Sequence, residues 1–200
     1  MPRHVDPQLE GKVLDAARKL WHKGGEKALS MRAVAKMAGT NTPALYRRFR
    51  NREDILKALV RAYQQELAEI IRDCDSLQEV AHCYLDFALR HPREYQLIMS
   101  GLLARMSKSR PNIQFLTERS SDWLGGRLGE HRALVLALAA LAHGTAMLKI
   151  TEIVLEEDYA ILRKAYAAAV DVLVANERKL RPKNEVANRK SETTKSQDSS

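Results

Sequence analysis

Four arginines stand close together in this sequence, at positions 47, 48, 50 and 52, and they are the side chains best suited to bind phosphate. A guanidinium is always charged, and its forked N–H donors match the oxygens of a phosphate group. The phenol of Tyr46, just before them, adds a further donor. Clusters of this kind also occur on ordinary solvated helices, so the arginines alone leave both interpretations open.

The net charge of the chain is concentrated at one end. Residues 1–52 contain twelve Lys or Arg and four Asp or Glu, a net charge of +8, whereas the remaining residues contain 21 of each kind. A neutral body with one cationic end favours a polyanionic partner at that end. A membrane surface is the weaker alternative, because this end has no long cationic amphipathic face.

The other reactive side chains do not fall into catalytic or metal-binding patterns. The histidines His82, His91, His131 and His143 have no partners at metal-ligand spacing, and the sequence has no phosphate loop or nucleophile elbow. The acidic run over 156–158 is better explained as a helix end and an N-cap with favourable dipole interactions than as a cation site. We therefore expect no catalytic residue, no metal and no cofactor, and a protein that is not an enzyme.

Cysteine spacing and hydropathy bear on the compartment. Cys74 and Cys83 are nine residues apart, which matches neither a zinc nor a redox motif, so we expect free thiols, with a disulfide-based sensor as the alternative. The chain has no run of about 18 uncharged apolar residues, and its N-terminus lacks a signal-peptide pattern. These features predict a cytoplasmic protein.

Helix start and stop residues place the arginines on a pair of short helices. Ser30 predicts the N-cap of the first helix, and Gly39 predicts its end. The second helix is predicted over residues 43–49, with Thr42 as its N-cap and a proline at its first position. Two short helices joined by a tight turn indicate a helix-turn-helix.

Longer helices flank this pair. Residues 6–7 open a first helix whose apolar stripe includes Trp21, and the glycines at 24–25 stop it. Asn51 and the acid three residues later resemble a capping box that opens a long helix over 52–72. On the second short helix, apolar spacing leaves a polar, cationic outer face made of Thr42, Pro43, Tyr46, Arg47 and Arg48.

The segment over 38–56, AGTNTPALYRRFRNREDIL, resembles the signature of the tetracycline-repressor (TetR) family of transcription factors. The matching positions are Ala38, Gly39, Leu45, Tyr46, Phe49, Glu53 and Leu56. Thr40 and Asn41 replace the usual Val-Ser, Arg48 replaces His and Arg52 replaces Lys. The resemblance implies a homodimer that binds double-stranded DNA at an inverted-repeat operator.

The resemblance also implies roles for single residues. The side chains expected to reach base edges are Arg32, Thr42, Pro43 and Arg47, and those expected to hold phosphates are Tyr46, Arg48 and Arg52. Arg32 bound to a guanine is the leading candidate for sequence specificity.

Beyond residue 71 the apolar spacing continues as helices, so the predicted fold is all-α. Helices are predicted over 76–89, 93–106, 110–124, 131–155 and 159–179. The last two have more apolar surface than one layer can hide, and the resemblance implies that residues 131–179 form the homodimer interface. The segment 140–148, ALAHGTAML, further resembles a C-terminal domain type marked by Trp and then His-Gly, although the Trp is missing.

These observations divide the chain into a head, a body and a tail. We expect a helix-turn-helix DNA-binding domain over 1–52, joined by the long helix over 52–72 to a ligand-binding and dimerisation domain over 73–180. Residues 181–200 have almost no apolar side chains, which predicts a disordered tail.

The middle helices carry aromatic and methionine side chains suited to an apolar ligand cavity. The candidate lining residues are Tyr84, Tyr95, Met99, Leu103, Met106, Trp123, His143 and Met147. Tyr95 or His143 would donate the hydrogen bond that orients a ligand, although the same side chains also suit an ordinary core. We therefore predict a repressor released by a small hydrophobic or aromatic effector. The alternative is a DNA-binding dimer without a ligand.

Overall fold

The computed structural model describes residues 8–101 and 111–182, and the regular structure in these two ranges is entirely helical. This confirms the all-α prediction. The helices, in chain order, are α1 (Leu9–Ala28), α2 (Met31–Met37), α3 (Thr42–Tyr46), α4 (Arg52–Arg72), α5 (Leu77–Arg90), α6 (Pro92–Met99), α7 (Pro111–Leu124), α8 (Arg132–Ile150) and α9 (Glu156–Ala175), followed by a 3₁₀ turn (Glu177–Leu180).

The head is built from α1, α2, α3 and the first half of α4. α1 packs on α2 and α4, and α2 packs on α3. The side chains of Val13, Leu45 and Ile55 are fully buried where these helices meet. The glycine pair at 24–25 interrupts α1 as a kink rather than ending it, because Gly25 has a φ of 58° and the helix then resumes for one turn.

The body is a layered helical bundle. α5 packs on both α8 and α9, α7 packs on α8, and α4 links head and body by contacting α1, α5 and α6. The hydroxyl of Tyr166 on α9 donates to the Ala81 carbonyl on α5 at 2.6 Å. By length and composition α8 could cross a membrane, a test that core helices of soluble proteins also pass, and α8 packs against α5, α7, α9 and the 3₁₀ turn.

Several helix ends differ from their predicted positions, and the helix predicted over 43–49 spans Thr42–Tyr46. The helix expected over 131–155 ends at Ile150, because the Thr151 hydroxyl donates to the Met147 carbonyl at 2.6 Å and Glu152 has a φ of 58°. The next helix begins at Glu156 instead of Tyr159. Its first turn therefore holds three acidic residues, which the positive end of the helix dipole favours.

The helix expected over 93–106 ends at Met99, and Gly101 follows with a φ of 75°. Leu103 and Met106, two of the predicted ligand residues, fall between the described ranges. Arg181, which the prediction assigns to the tail, instead belongs to the fold, because its guanidinium binds Glu177 at 2.7 Å and Glu130 at 3.1 Å. The rest of the predicted tail, from residue 183, lies outside the described residues.

Candidate DNA-binding surface and ligand cavity

Helix α3, the candidate recognition helix of the predicted helix-turn-helix, is short and is stabilised by an N-cap and by a buried apolar face. Asn41 Oδ1 accepts the Ala44 N–H at 2.8 Å, so the N-cap is Asn41 and not Thr42 as predicted. Leu45 and Phe49 are buried, as their spacing predicts. The outer residues Pro43, Tyr46, Arg47 and Arg48 are exposed, and Thr42 is half-buried.

The start of α2 and the turn between α2 and α3 have the N-cap and the glycine conformation that the sequence predicts. Ser30 Oγ accepts the Ala33 N–H at 3.1 Å and caps α2. Gly39 takes a φ of 66°, a conformation that side-chain-bearing residues rarely adopt. Arg32, near the start of α2, is exposed. The head thus presents three arginines to solvent: Arg32 on α2, Arg47 at the C-cap of α3, and Arg48 in the turn that follows.

Arg52 differs from the other predicted DNA contacts because it is already held within the chain. Its guanidinium binds the Glu26 carboxylate and donates to the Glu26 carbonyl at 3.3 Å. Glu26 belongs to the last turn of α1. An exposed pair of this kind contributes little to stability, so a phosphate can compete for the guanidinium.

Head and body are connected by contacts between α1 and α6 that local sequence patterns do not predict. Trp21 Nε1 donates to the Arg93 carbonyl at 3.2 Å, and the Arg93 guanidinium donates to the His22 carbonyl. His22 Nδ1 lies 3.1 Å from the buried carboxylate of Glu94. Trp21 is therefore buried, as predicted, but its indole also ties α1 to α6.

Three of the predicted ligand residues form a hydrogen-bonded chain in the body. The hydroxyls of Tyr84 and Tyr95 are 3.3 Å apart, and the Tyr95 hydroxyl is 2.7 Å from His143 Nδ1. Burial raises the pKa of both tyrosines, so they stay neutral phenols.

An apolar cavity of about 60 Å³ lies beside this chain, between α4, α5, α7 and α8. Tyr84 lines it together with Ile71, Val80, Leu116 and Val135. Of the other predicted residues that the structure describes, Tyr95 and His143 are linked to Tyr84 by hydrogen bonds, whereas Met99, Trp123 and Met147 do not line this cavity. Met99 is largely exposed, and Trp123 is covered by the Arg119 guanidinium, 5.4 Å from the ring centroid.

The apolar lining was missed because those residues fit the periodicity of a plain core. Ile71, Val80 and Leu116 occupy buried stripe positions like many others, and a stripe does not tell which of its members border a void. The one sequence signal is the Tyr84 hydroxyl, a polar atom within an otherwise apolar stripe of α5.

Two helices of the body carry apolar residues on faces that none of the other described residues covers. On α9, Ile161, Ala165, Ala168 and Val172 are exposed at helical spacing. On α8, Leu136 is 47% exposed, with Ala140 and Gly144 next along the same face. Ala169 on α9 is instead half-buried.

Two protein-family models match this chain. The model of bacterial regulatory proteins of the tetR family matches residues 13–59, and the tetracyclin repressor-like C-terminal domain matches residues 77–175. A search of curated protein sequences finds no significant match. The two family models together cover the head and most of the body.

Solved structures with the same fold are similar over most of their length. A protein with unknown function from Rhodococcus sp. RHA1 has a TM-score of 0.66 at 22% identity, covering 91% of this chain and 100% of that one. A variant of TetR from Acinetobacter baumannii AYE in complex with minocycline has a TM-score of 0.64 at 21% identity, covering 86% and 98%. The multidrug binding protein EbrR complexed with imidazole has a TM-score of 0.55 at 18% identity, covering 92% and 96%. The head has two short capped helices with exposed arginines at the end of the second, and both family models match; the chain therefore belongs to the TetR family of DNA-binding transcription regulators.

Proposed function

We propose that this protein is a cytoplasmic, homodimeric repressor that leaves its operator when a small hydrophobic or aromatic molecule binds in the body. The observation that carries the ligand part is the Tyr84, Tyr95 and His143 chain, a buried polar group beside an apolar cavity. Ligand sites combine mostly apolar walls with a few polar groups that fix orientation. The minocycline complex of one structural neighbour and the imidazole complex of another support the same class of effector.

The exposed face of α3 and the start of α2 form the proposed DNA contact. Thr42, Pro43 and Arg47, with Arg32 from α2, reach base edges in the major groove. Tyr46, Arg48 and Arg52 bind phosphates and fix the register. The charge distribution supports this assignment, since the +8 excess of the chain lies within residues 1–52.

The exposed apolar faces of α8 and α9 support dimerisation through these two helices. A helix pair from each of two chains would bury Leu136 of α8 and Ile161, Ala168 and Val172 of α9. Small residues such as Ala165 and Ala168 allow the helices to approach closely. A two-fold dimer presents two recognition helices, so the operator is an inverted repeat.

Release from DNA requires that the effector bind more tightly to a conformation in which the spacing of the two heads no longer fits the operator. An effector with equal affinity for this conformation and for the DNA-binding one would not shift the equilibrium between them. The cavity of about 60 Å³ is small beside the roughly 300–1,000 Å³ of ordinary ligand sites. A drug-sized molecule must therefore separate the walls, and two of those walls are α4 and α5. Because α4 also carries the head, opening the cavity moves the DNA-reading surface.

The test begins with operator selection from random-sequence DNA, followed by a screen of hydrophobic and aromatic compounds that release it. His143→Ala and Tyr95→Phe should keep operator affinity and blunt release by the inducer. Tyr159→Phe is the matched control, since this tyrosine lies on α9 away from the cavity, and its release should stay as in the wild type. If no compound changes operator affinity, the alternative of a DNA-binding dimer without a ligand takes the place of this proposal.

A further inference from the structure

Of the three side chains in the hydrogen-bonded chain of the body, Tyr84 alone lines the apolar cavity. The Tyr95 hydroxyl lies 3.3 Å from that of Tyr84 and 2.7 Å from His143 Nδ1. Tyr95 itself is fully buried. Tyr84 is therefore the end of the chain that a molecule in the cavity can reach, and the other two residues hold its hydroxyl in place.

This chain can offer a ligand either a donor or an acceptor. A phenol has one proton to donate and lone pairs to accept with, and a ring nitrogen of a neutral imidazole does one or the other. If Tyr84 donates to Tyr95 and Tyr95 to His143, the Tyr84 oxygen can accept from the ligand. In the reverse direction, the Tyr84 hydroxyl donates to the ligand. Burial raises the pKa of both phenols, so both stay protonated at neutral pH in either direction.

The rest of the cavity wall has no group that would stabilise a charge. Among the described residues that line it, every side chain other than Tyr84 is aliphatic except that of Asn112, an uncharged amide near the start of α7. The cavity lies between four helices, and Ile71, Val80 and Leu116 contribute to its wall. A charged ligand would lose its hydration there without gaining a counter-ion.

We propose that the effector is an uncharged molecule whose hydrogen-bonding group binds the Tyr84 hydroxyl, as a phenol or an aromatic alcohol would. This inference rests on the proposed function and narrows it, because many small aromatic molecules are carboxylates or ammonium ions at neutral pH. Tyr84 selects the effector by its polar group, and the aliphatic wall excludes charged molecules of the same shape.

The first test compares probes of similar shape and different charge, added to the full-length protein without DNA. Benzyl alcohol is the neutral probe, benzylammonium the cation and benzoate the anion, and the methyl NMR signals of Ile71 and Ile113 report on the cavity. We expect saturable shifts with benzyl alcohol, and binding of both ions at least about tenfold weaker, because neither finds an opposite charge. An ion that binds within tenfold of benzyl alcohol at these methyl groups would overturn the proposal, and so would benzyl alcohol that does not bind.

The second test identifies the residue that binds the polar group. Phenol and toluene have nearly the same shape and differ in the hydroxyl group. Tyr84→Phe should weaken phenol binding about two- to tenfold, the net effect of one hydrogen bond, and should leave toluene binding unchanged or tighter. Asn112→Leu is the matched control, and it should keep the wild-type ratio of the two affinities.

The toluene measurement also checks that the Tyr84→Phe cavity is intact. Equal losses for phenol and toluene in this variant would indicate a change of cavity shape and overturn the role of Tyr84. A loss of phenol binding in Asn112→Leu but not in Tyr84→Phe would assign the polar contact to Asn112 instead.

Binding to the cavity and release from DNA are measured separately, so the two proposals can fail independently. Neutral probes that bind as expected but leave operator affinity unchanged would contradict effector-controlled release, and the preference of the cavity for uncharged ligands would stand. An ion that binds in the cavity and releases the operator would leave the proposed function standing and overturn the uncharged class of effector.

Discussion

At the scale of single residues, the arginines of the head differ in what already holds them. Arg32 and Arg47 are exposed, whereas the Arg52 guanidinium is bound to Glu26 on the last turn of α1. A free guanidinium near the recognition helix can make a forked contact with a guanine. The Arg52 guanidinium must first give up the Glu26 carboxylate before it binds a phosphate, so it contributes less to the free energy of DNA binding. The two kinds of arginine should therefore respond differently to substitution.

Arg32→Ala should weaken operator binding by about 1–3 kcal/mol and relax the choice of base at one position. Arg52→Ala should weaken binding to all sequences alike and reduce the salt slope by about one. The measurement is fluorescence anisotropy with single-base operator variants at several salt concentrations. Glu26→Gln is the matched control: it frees Arg52 and removes a negative charge, so affinity for every sequence should rise. If Arg32→Ala leaves base discrimination intact, α2 does not read the operator.

The cap of the recognition helix gives a second prediction at this scale. Asn41 Oδ1 satisfies the Ala44 N–H, and α3 has only five residues, so one cap is a large part of what holds it. Asn41→Ala should cost about 0.5–2 kcal/mol in the free energy of unfolding and lower operator affinity. Urea unfolding and operator binding are measured together. Asn41→Asp and Asn41→Ser retain a capping oxygen, and stability losses equal to that of the alanine variant would show that the cap is not the cause.

At the scale of helices, N-cap residues in the sequence are sufficient to predict where a helix starts, because a helix start depends on neighbouring residues. Ser30, Asn51 and Ser76 all cap helices that begin as their sequence pattern predicts. The end of α8 was predicted too late, since neither glycine nor proline marks it and the chain turns through a positive φ at Glu152. The proline at position 43 favours Thr42 as the N-cap of α3, but the side chain that caps this helix is that of Asn41.

Contacts between distant elements could not be predicted at all. Glu26 and Arg52 are far apart in sequence, as are Trp21 and Arg93, and helical periodicity carries no information about such pairs. The cavity likewise depends on how four helices pack, so the periodicity that identified Ile71 as apolar could not place it at a void. The sequence predicts Tyr95 and His143 as alternative donors of the hydrogen bond that orients a ligand. In the structure these two side chains are hydrogen-bonded to each other and belong to one polar group.

The contact between α9 and α5 gives a prediction about alkaline pH. Burial, and then the charge of Asp86, raises the pKa of Tyr166, whose hydroxyl donates to the Ala81 carbonyl. Below about pH 10 this phenol is protonated in both states, and the hydrogen bond stabilises the fold. Above pH 10 the Tyr166 phenol ionises in the unfolded chain but stays protonated in the folded one. Its ionisation therefore lowers the free energy of unfolding, by about 1.4 kcal/mol at pH 11 relative to neutral pH.

Tyr166→Phe should therefore be less stable than the wild type by about 0.5–1.5 kcal/mol at pH 8, and the difference should narrow or reverse near pH 11. Urea unfolding of both proteins between pH 8 and pH 11 measures it. A difference that stays constant across this range would show that Tyr166 ionises equally in both states.

At the scale of the whole molecule, the charge and the apolar surface lie in different parts. The head carries the positive charge, whereas α8 and α9 carry exposed apolar side chains. One end is therefore suited to a polyanion and the other to a second copy of the chain. An exposed apolar face on helices this long would be an aggregation liability in a monomer. Burying it against a two-fold mate also sets the distance between the two recognition helices.

Ala168→Glu should prevent dimerisation and abolish operator-specific binding, because it places a charge in the centre of the exposed apolar face of α9. Ala168 is the better target than Ala169, which is half-buried and whose substitution would also disturb the core of its own chain. Sedimentation velocity measures the oligomeric state, and circular dichroism checks that the monomer is folded. Leu128→Glu is the matched control, since Leu128 is 74% exposed but lies in the glycine-rich loop before α8, and this variant should remain a dimer.

The Ala168→Glu monomer should still bind DNA weakly and with little dependence on sequence, because each head keeps its phosphate contacts while two half-sites can no longer be bound at once. A folded Ala168→Glu variant that sediments as a dimer would move the interface away from α9.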